Sequence, residues 1–310
     1  MRHILIDTDT GSDDAMAIVM ALKCKDVKVE ALTVVNGNVP TDLGVKNALI
    51  SIDWAGTYKP PVYEGMDRPL LRDIQHAFET HGDDGMGDMD LDWPEQKVSE
   101  GNGVLKLLEY ADKFAGELEI VALGPLTNIA MAYLLDHSFA KKVKRLYVMG
   151  TAGYGPGNVT PVAEFNIWAD PEACDIVLNS GMDQLYIGWD MCTGPAMITT
   201  EEIEDIEQNG TDCAKKCIRC NKTLMEMNTR RFGSKCLDMA DPVAMAVALW
   251  PDQVCKENIY AYTYCETAKG PSYGMVVSDY SGAAEKEANA GMCKSIHIDV
   301  MKKLMLDHIK

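Results

Sequence analysis

Near its amino end the chain carries Asp7-Thr8-Asp9-Thr10-Gly11-Ser12-Asp13-Asp14, four aspartates in eight residues. The apolar run Ile4-Leu5-Ile6 leads into it as a strand, and in extended backbone Asp7 and Asp9 point to one side and Thr8 to the other. Gly11 permits a sharp turn and Ser12 is a suitable helix N-cap. Asp13 and Asp14 then fall in the first turn of a helix through Ala15 to Leu22, where the helix dipole favours negative charge. Strand-end and helix-start carboxylates therefore converge on one spot. Two such charges about 4 Å apart repel by roughly 4 kcal/mol at an effective dielectric near 20, whereas a helix end offsets only about 0.3–1 kcal/mol per charge. The cluster calls for a cation, and an all-oxygen set of hard donors suits Ca²⁺ or Mg²⁺. Turn and capping residues in plain solvent are the blander reading. The position of the cluster, at the strand end where parallel sheets bind ligands, favours the metal site.

The spacing of Asp7 and Asp9 also fits the haloacid-dehalogenase phosphatases, which place a nucleophilic Asp two residues before a general-acid Asp at the end of the first strand. Asp13 and Asp14 have no role in that motif, and no later acidic pair on a Gly-Asp loop completes it. The stretch Asp7 to Asp14 more closely resembles the amino-terminal signature of the inosine–uridine nucleoside hydrolase family, with Thr10 where a Pro is usual. The likeness continues through Val34-Val35-Asn36-Gly37-Asn38, His81-Gly82, Gly85-Met86-Gly87 and Leu123-Gly124-Pro125-Leu126-Thr127-Asn128. It extends through Met149-Gly150, Glu164-Phe165-Asn166, Asp170-Pro171-Glu172-Ala173 and Asp241-Pro242.

That resemblance implies hydrolysis of the N-glycosidic bond of ribonucleosides, through an oxocarbenium-like centre as in glycoside hydrolysis. It implies Ca²⁺ held by Asp9, Asp14, the backbone carbonyl of Leu123 and Asp241, the ion binding both the attacking water and the ribose 2′ and 3′ hydroxyls. Asp9 would be the general base, and Asp13, Asn38, Asn158, Glu164 and Asn166 would hold the sugar hydroxyls. Met149 would lie against the sugar or base, and His81 on a loop closing over the base. Amides and carboxylates are the right types to pair with a diol. Asn38 and Asn158 also read as ordinary turn residues, and His81 equally as a solvent-facing residue of a mobile loop. Glu164 and Asn166 flank what reads as one buried ring, Phe165. Many family members carry a His just before the last metal-binding Asp, proposed to protonate the leaving base. Here that position is Ala240, which cannot donate a proton, and His81, Arg230, Arg231 or solvent are the remaining candidates. Ala240 also keeps open a nucleoside- or ribose-binding protein without turnover.

Composition agrees with a small polar substrate. The 310 residues contain 29 Lys+Arg against 47 Asp+Glu, a formal net charge of −18, which argues against a nucleic-acid binder with a basic face. Aromatics at 7% leave no rows of base-stacking rings. Hydrophobic content of 47% with 25% charged residues excludes wholesale disorder. No stretch approaches the roughly 20 apolar residues of a membrane span, and the start turns acidic too early for a signal peptide. A cytoplasmic protein is expected, its ten cysteines reduced, with a homodimer or homotetramer implied by the family.

Apolar runs of strand length at 4–6, 27–35, 118–123, 143–149 and 184–189 alternate with helical patterns at 15–22, 43–54, 126–135 and from Pro171. This rhythm predicts one α/β domain over 1–310, with a mostly parallel central sheet flanked by helices. Residues 76–93 read as a mobile loop and 154–158 as an irregular excursion, while 199–250 reads as a continuous helical cap. Cys213, Cys217 and Cys220 have iron–sulfur spacing, but on a helix they form one apolar stripe and read as buried thiols. Asp88-Met89-Asp90-Leu91-Asp92 opens like an EF-hand loop, yet Trp93 and Ser99 stand where Gly and Glu are required.

Overall fold

Ile4 and Ile6 pack into one hydrophobic core and Leu5, between them, into another. Val121 and Tyr147 likewise join the first core, while Ile120, Ala122, Leu146 and Val148 join the second. This two-residue period marks strands buried on both faces, as parallel sheets require. The computed structural model describes residues 1–310. Its strands are β1 Arg2–Thr8, β2 Val27–Val34, β3 Val62–Glu64, β4 Leu118–Ala122, β5 Val143–Met149, β6 Gln184–Ile187, β7 Cys255–Cys265, β8 Val276–Asp279 and β9 Ala290–Ile296. They form one sheet in the order β3-β2-β1-β4-β5-β6-β9-β7-β8. Pairing is parallel from β3 to β9, and β7 runs antiparallel to both β9 and β8. The helices Ser12–Lys23, Thr41–Ala55, Ala240–Leu249 and Ile298–Ile309 cover one face, and Gly103–Lys113, Thr127–Leu135 and Pro171–Leu178 the other. None of the helices is long and apolar enough to cross a membrane.

The alternating rhythm thus gives the parallel half of the sheet and its mostly parallel character. It misses β3, only three residues long, and β7 to β9, whose residues mix buried, half-buried and exposed positions without a clean period. The expected strand 184–189 stops at Ile187, and Trp189–Cys192 is a single 3₁₀ turn held by Trp189 N–H donating to Thr151 O at 2.9 Å.

Three local expectations need correction. The segment 199–250 is four helices: Thr200–Asn209, Asp212–Arg219, Lys222–Phe232 and Ala240–Leu249. Ala240–Leu249 is no cap, since all ten of its residues are buried. Its sequence is apolar all round, as a core helix demands. Cys217 and Cys220 are buried as expected, but the helix carrying Cys213 ends at Arg219 and Cys213 is half-buried. Ser12 is not the N-cap; Gly11 is, and the Ser12 hydroxyl is instead paired with His81.

The loop 76–93 is built, not loose. Asp84 accepts from the backbone N–H groups of Met86 (2.6 Å), Asp88 (2.9 Å) and Asp90 (3.0 Å). The Asn47 amide then ties Asp84 O to Thr10 O, both at 3.0 Å. These bonds use short polar side chains to satisfy backbone that no helix or strand serves.

Arg2 anchors the far end of the sheet. It donates to Glu119 on β4 and to the carbonyls of Ala248 (2.7 Å) and Leu249 (2.9 Å), while Lys144 reaches Glu119 at 3.0 Å. Burial would raise the Glu119 carboxyl, but Arg2 and Lys144 outweigh it and hold it below its ordinary value. A folded carboxyl that titrates below its unfolded value adds stability at neutral pH and loses it on acidification. Glu119→Gln should therefore cost about 1–3 kcal/mol at neutral pH. The gap to the wild type in thermal denaturation should close below about pH 4, and a gap independent of pH would refute the assignment.

Candidate active site

The sheet grows outward from β1 through β2 to β3 on one side and from β4 through β5 to β6 on the other. The strand order reverses between β1 and β4, and such a reversal opens a crevice at the carboxyl ends of the strands. Asp9 follows β1, Asn38 follows β2, Leu123 follows β4 and Met149 ends β5. Residues far apart in the chain are therefore delivered to one edge.

Carboxylate oxygens of Asp13, Asp14 and Asp241 lie within 4.8 Å of one another, all three side chains buried. Asp241 arrives from the first turn of Ala240–Leu249, and its backbone N–H donates to Asp13 Oδ2 at 3.5 Å. Asp14 is the best served: Thr8 Oγ1 donates at 2.5 Å, Gly11 N–H at 2.8 Å and Asn38 Nδ2 at 3.3 Å. Asp9 adjoins this trio, with its Oδ2 accepting from Asn38 N–H at 2.6 Å. Two glycines make room for it. A Cβ on Gly37 would stand 2.0 Å from Asp9 Oδ2, and one on Gly124 would stand 2.7 Å from Oδ1.

Burial, and then mutual repulsion, push Asp14 up to about 7 and Asp9 and Asp241 well above the usual carboxylate range. Asp9 Oδ1 and Asp13 Oδ1 are buried without any hydrogen-bond partner. Native interiors rarely leave such acceptors alone. Orphaned carboxylate oxygens gathered with a third and fourth acid fit a hard divalent cation in donor type and number. The tight trio contains Asp13 where the sequence pointed to Asp9, and Asp9 flanks it.

Asp7 does not join them. Its Oδ1 accepts from Thr33 Oγ1 at 2.5 Å and Asn128 Nδ2 at 2.8 Å, which ties β1 to β2 and to the helix Thr127–Leu135. Asp9 lies beyond the last residue of β1, so the two-residue period no longer relates the two side chains. Asp7 is engaged in these contacts between elements, whereas the phosphatase reading needs it free as nucleophile.

A cavity of about 320 Å³ opens over the cluster. Asp13, Asn38, Glu164, Asn166 and Asp241 form its polar wall, and Leu123, Met149, His81 and Asn158 also line it. Asp9 and Asp14, fully buried, are not part of its surface. Glu164 is also the N-cap of the helix Phe165–Ala169, accepting from Asn166 N–H at 2.9 Å, Thr151 N–H at 3.2 Å and Ile167 N–H at 3.3 Å. Burial pushes it up to about 7. Phe165 is half-buried and on the cavity wall, not the buried ring expected between Glu164 and Asn166. Asn166 Nδ2 donates to Leu123 O at 2.6 Å and Met149 O at 3.3 Å, which fixes the ends of β4 and β5 and leaves its Oδ1 free. A carbonyl has two lone pairs, so Leu123 O keeps one for a further partner. Asn158 is exposed at the rim, its Oδ1 accepting from Phe165 N–H at 3.0 Å.

His81 is buried, 6% exposed, and not the solvent-facing residue that a mobile loop would carry. Its Nδ1 accepts from Ser12 N–H at 3.3 Å and pairs with Ser12 Oγ at 2.9 Å. A nitrogen that accepts carries no proton, so the ring is the neutral tautomer with its N–H on Nε2. Burial lowers its proton affinity further, against the opposing pull of Asp13. Of the arginines considered as donors to a leaving base, Arg231 lines the cavity and Arg230 does not. Sequence reasoning missed Trp189 and Asp238 in the same wall, and Asn47 behind the loop. The Asn47 side chain sits between polar backbone groups far apart in sequence, and nothing in its neighbours signals that.

Residues 4–303 match the model of the family described as inosine-uridine preferring nucleoside hydrolase. Over 252 residues the chain is 37% identical to uridine nucleosidase 1 of Arabidopsis thaliana, covering 81% of this chain and 75% of that one. A plant nucleoside hydrolase, the PpNRh1 enzyme, superposes with a TM-score of 0.93 at 29% identity over 99% of this chain and 98% of that one. A purine-preferring ribonucleoside hydrolase from Gardnerella vaginalis superposes at 0.91 with 25% identity, again over 99% and 98%.

The acid cluster carries a pH signature. Its folded carboxyls titrate above their unfolded values near 4, so without a cation the cluster's contribution to stability is most favourable in acid and worsens as pH rises to about 7 and beyond. A bound cation replaces those protons. Added Ca²⁺ should therefore raise the melting temperature of chelator-treated protein more near pH 8 than near pH 5. An equal rise at both values, or none, would contradict the cluster as the binding site.

Proposed function

Because this chain belongs to the inosine-uridine preferring nucleoside hydrolase family, we propose that it hydrolyses the N-glycosidic bond of ribonucleosides with Ca²⁺ bound and Asp9 as general base. The observation that carries this reading is the pair of orphaned, buried oxygens, Asp9 Oδ1 and Asp13 Oδ1, beside Asp14 and Asp241. We assign the ion to Asp9, Asp14, Asp241 and the carbonyl of Leu123. When bound, Ca²⁺ would neutralise the acids and lower the proton affinity of the water and sugar hydroxyls at the site.

Asp9 is fixed at Oδ2 by Asn38 N–H, which leaves Oδ1 as the atom that takes the proton of the attacking water. Desolvation and the neighbouring acids raise the proton affinity of Asp9, which suits a base, and the ion's charge moderates it. Gly37 and Gly124 hold the carboxylate within a close fit on two sides. A base fixed in this way needs no reorganisation during reaction.

Asp13 meets the cavity surface while Asp9 and Asp14 do not, so Asp13 is the acid offered to the ribose diol. Asn38, Glu164 and the free Oδ1 of Asn166 supply the other sugar contacts, with Asn158 at the rim and Met149 against the ring. His81 stands beside Asp13, its Nδ1 3.9 Å from Asp13 Oδ1, and offers a neutral Nε2–H to the bound nucleoside. Ala240 lends an apolar surface and no proton.

Asp9→Asn should reduce turnover of uridine or inosine by orders of magnitude while the circular dichroism spectrum stays that of the folded wild type, whereas near-normal turnover would remove Asp9 as base. Asp241→Ala should weaken Ca²⁺ binding in a calorimetric titration, and an unaltered affinity would take it out of the ligand set. Gly124→Ala, which crowds Asp9 without removing it, should lower kcat by about 100-fold or more.

A further inference from the structure

The wall of the cavity that carries no sugar-holding acid or amide contains a second polar pair, Asp238 and Arg231. On the reading of the chain as a ribonucleoside hydrolase, we propose that Asp238 and Arg231 read the nucleobase, the carboxylate accepting a ring N–H and the guanidinium donating to the carbonyl oxygen beside it.

Asp238 is 2% exposed. Asn228 Nδ2 donates to its Oδ1 at 2.7 Å and to Cys236 O at 3.1 Å, which pins the carboxylate in place. No side chain donates to the other oxygen, which stays available to accept from a molecule in the cavity. Arg231 lies on the helix Lys222–Phe232, with Leu224 and Met227 on the same helical face, and all three line the cavity. Its guanidinium is 5.1 Å from the Phe232 ring centroid and otherwise exposed.

Asp238, Arg231 and Trp189 also line an adjoining cavity of about 560 Å³. Both residues thus border open space on two sides. An acceptor and a donor in one cavity wall complement a base edge with the reverse order: the N3–H and carbonyl of uracil, or the N1–H and carbonyl of hypoxanthine. Adenine presents a bare N1 lone pair there, which a carboxylate repels. The metal cluster and the sugar wall do not distinguish one base from another, because ribose is common to all. Asp238 and Arg231 supply that discrimination.

The test uses the Ca²⁺-loaded full chain and whichever of uridine and inosine is turned over faster, paired with 3-methyluridine or 1-methylinosine. Methylation removes the N–H and changes nothing in the sugar. The wild type should prefer the unmethylated nucleoside by at least about 100-fold in kcat/KM. In Asp238→Asn that ratio should fall to within about tenfold, with Ca²⁺ affinity unchanged. Equal turnover of the methylated and unmethylated nucleosides by the wild type would overturn the proposal even if the variant failed to fold, as would an undiminished ratio in a folded Asp238→Asn. Release of no free base from any nucleoside would instead overturn the hydrolase reading on which the proposal rests.

Discussion

Four carboxylates, Asp9, Asp13, Asp14 and Asp241, are buried within one small volume at the carboxyl edge of the sheet, and nothing in their surroundings balances their charge. Two carboxylate charges about 4 Å apart repel by roughly 4 kcal/mol at an effective dielectric near 20. The helix end at Ser12 offsets about 0.3–1 kcal/mol per charge. Hydrogen bonds serve Asp14 well, Asp9 at one oxygen only, and Asp13 through one long contact from Asp241 N–H. The shortfall is concentrated at Asp9 Oδ1 and Asp13 Oδ1. On the proposed assignment, a divalent cation would neutralise the cluster and a sugar hydroxyl donating to Asp13 Oδ1 would meet the remainder.

The fold explains how so unfavourable a cluster is assembled. A sheet covered on both faces holds the strand ends rigid, and the reversal of strand order between β1 and β4 leaves a crevice there. Asn166 bridges the carbonyls that end β4 and β5, and Asn38 bonds to both Asp9 and Asp14. Ala240–Leu249, buried along its whole length, brings Asp241 against the first helix. The wall proposed to hold the sugar is thus built from element ends whose positions the cores determine. The wall proposed to face the base comes instead from Arg231 on the more exposed helix Lys222–Phe232, from Trp189 of the 3₁₀ turn and from Asp238 just ahead of Ala240–Leu249.

Much of this was legible where the information is local. Asp9, Asp13 and Asp14 belong to one strand–turn–helix unit, so spacing alone announces their convergence. Asp241 meets them across 228 residues, and only likeness to a family pointed to it. The alternation of apolar runs gave five of the parallel strands, whose two buried faces impose it, and failed at the three-residue β3 and at β7 to β9, where burial is mixed. The loop 76–93 looked loose because its composition is Gly- and Asp-rich, yet Asp84 and Asn47 convert those residues into a hydrogen-bonded wall that buries His81. Asp7 was expected beside Asp9, but β1 ends at Thr8 and the side-chain period ends with it. Asp238 carried no local signal at all; its meaning comes from Asn228 and from the cavity it borders.

Diffraction from crystals of the chain grown with Ca²⁺ and ribose tests the central claim most directly. The account requires one ion about 2.3–2.6 Å from oxygens of Asp9, Asp14, Asp241 and Leu123, with the ribose 2′ and 3′ hydroxyls in its coordination shell. Calcium-saturated crystals with no ion among these carboxylates, or with the sugar bound elsewhere, would contradict it.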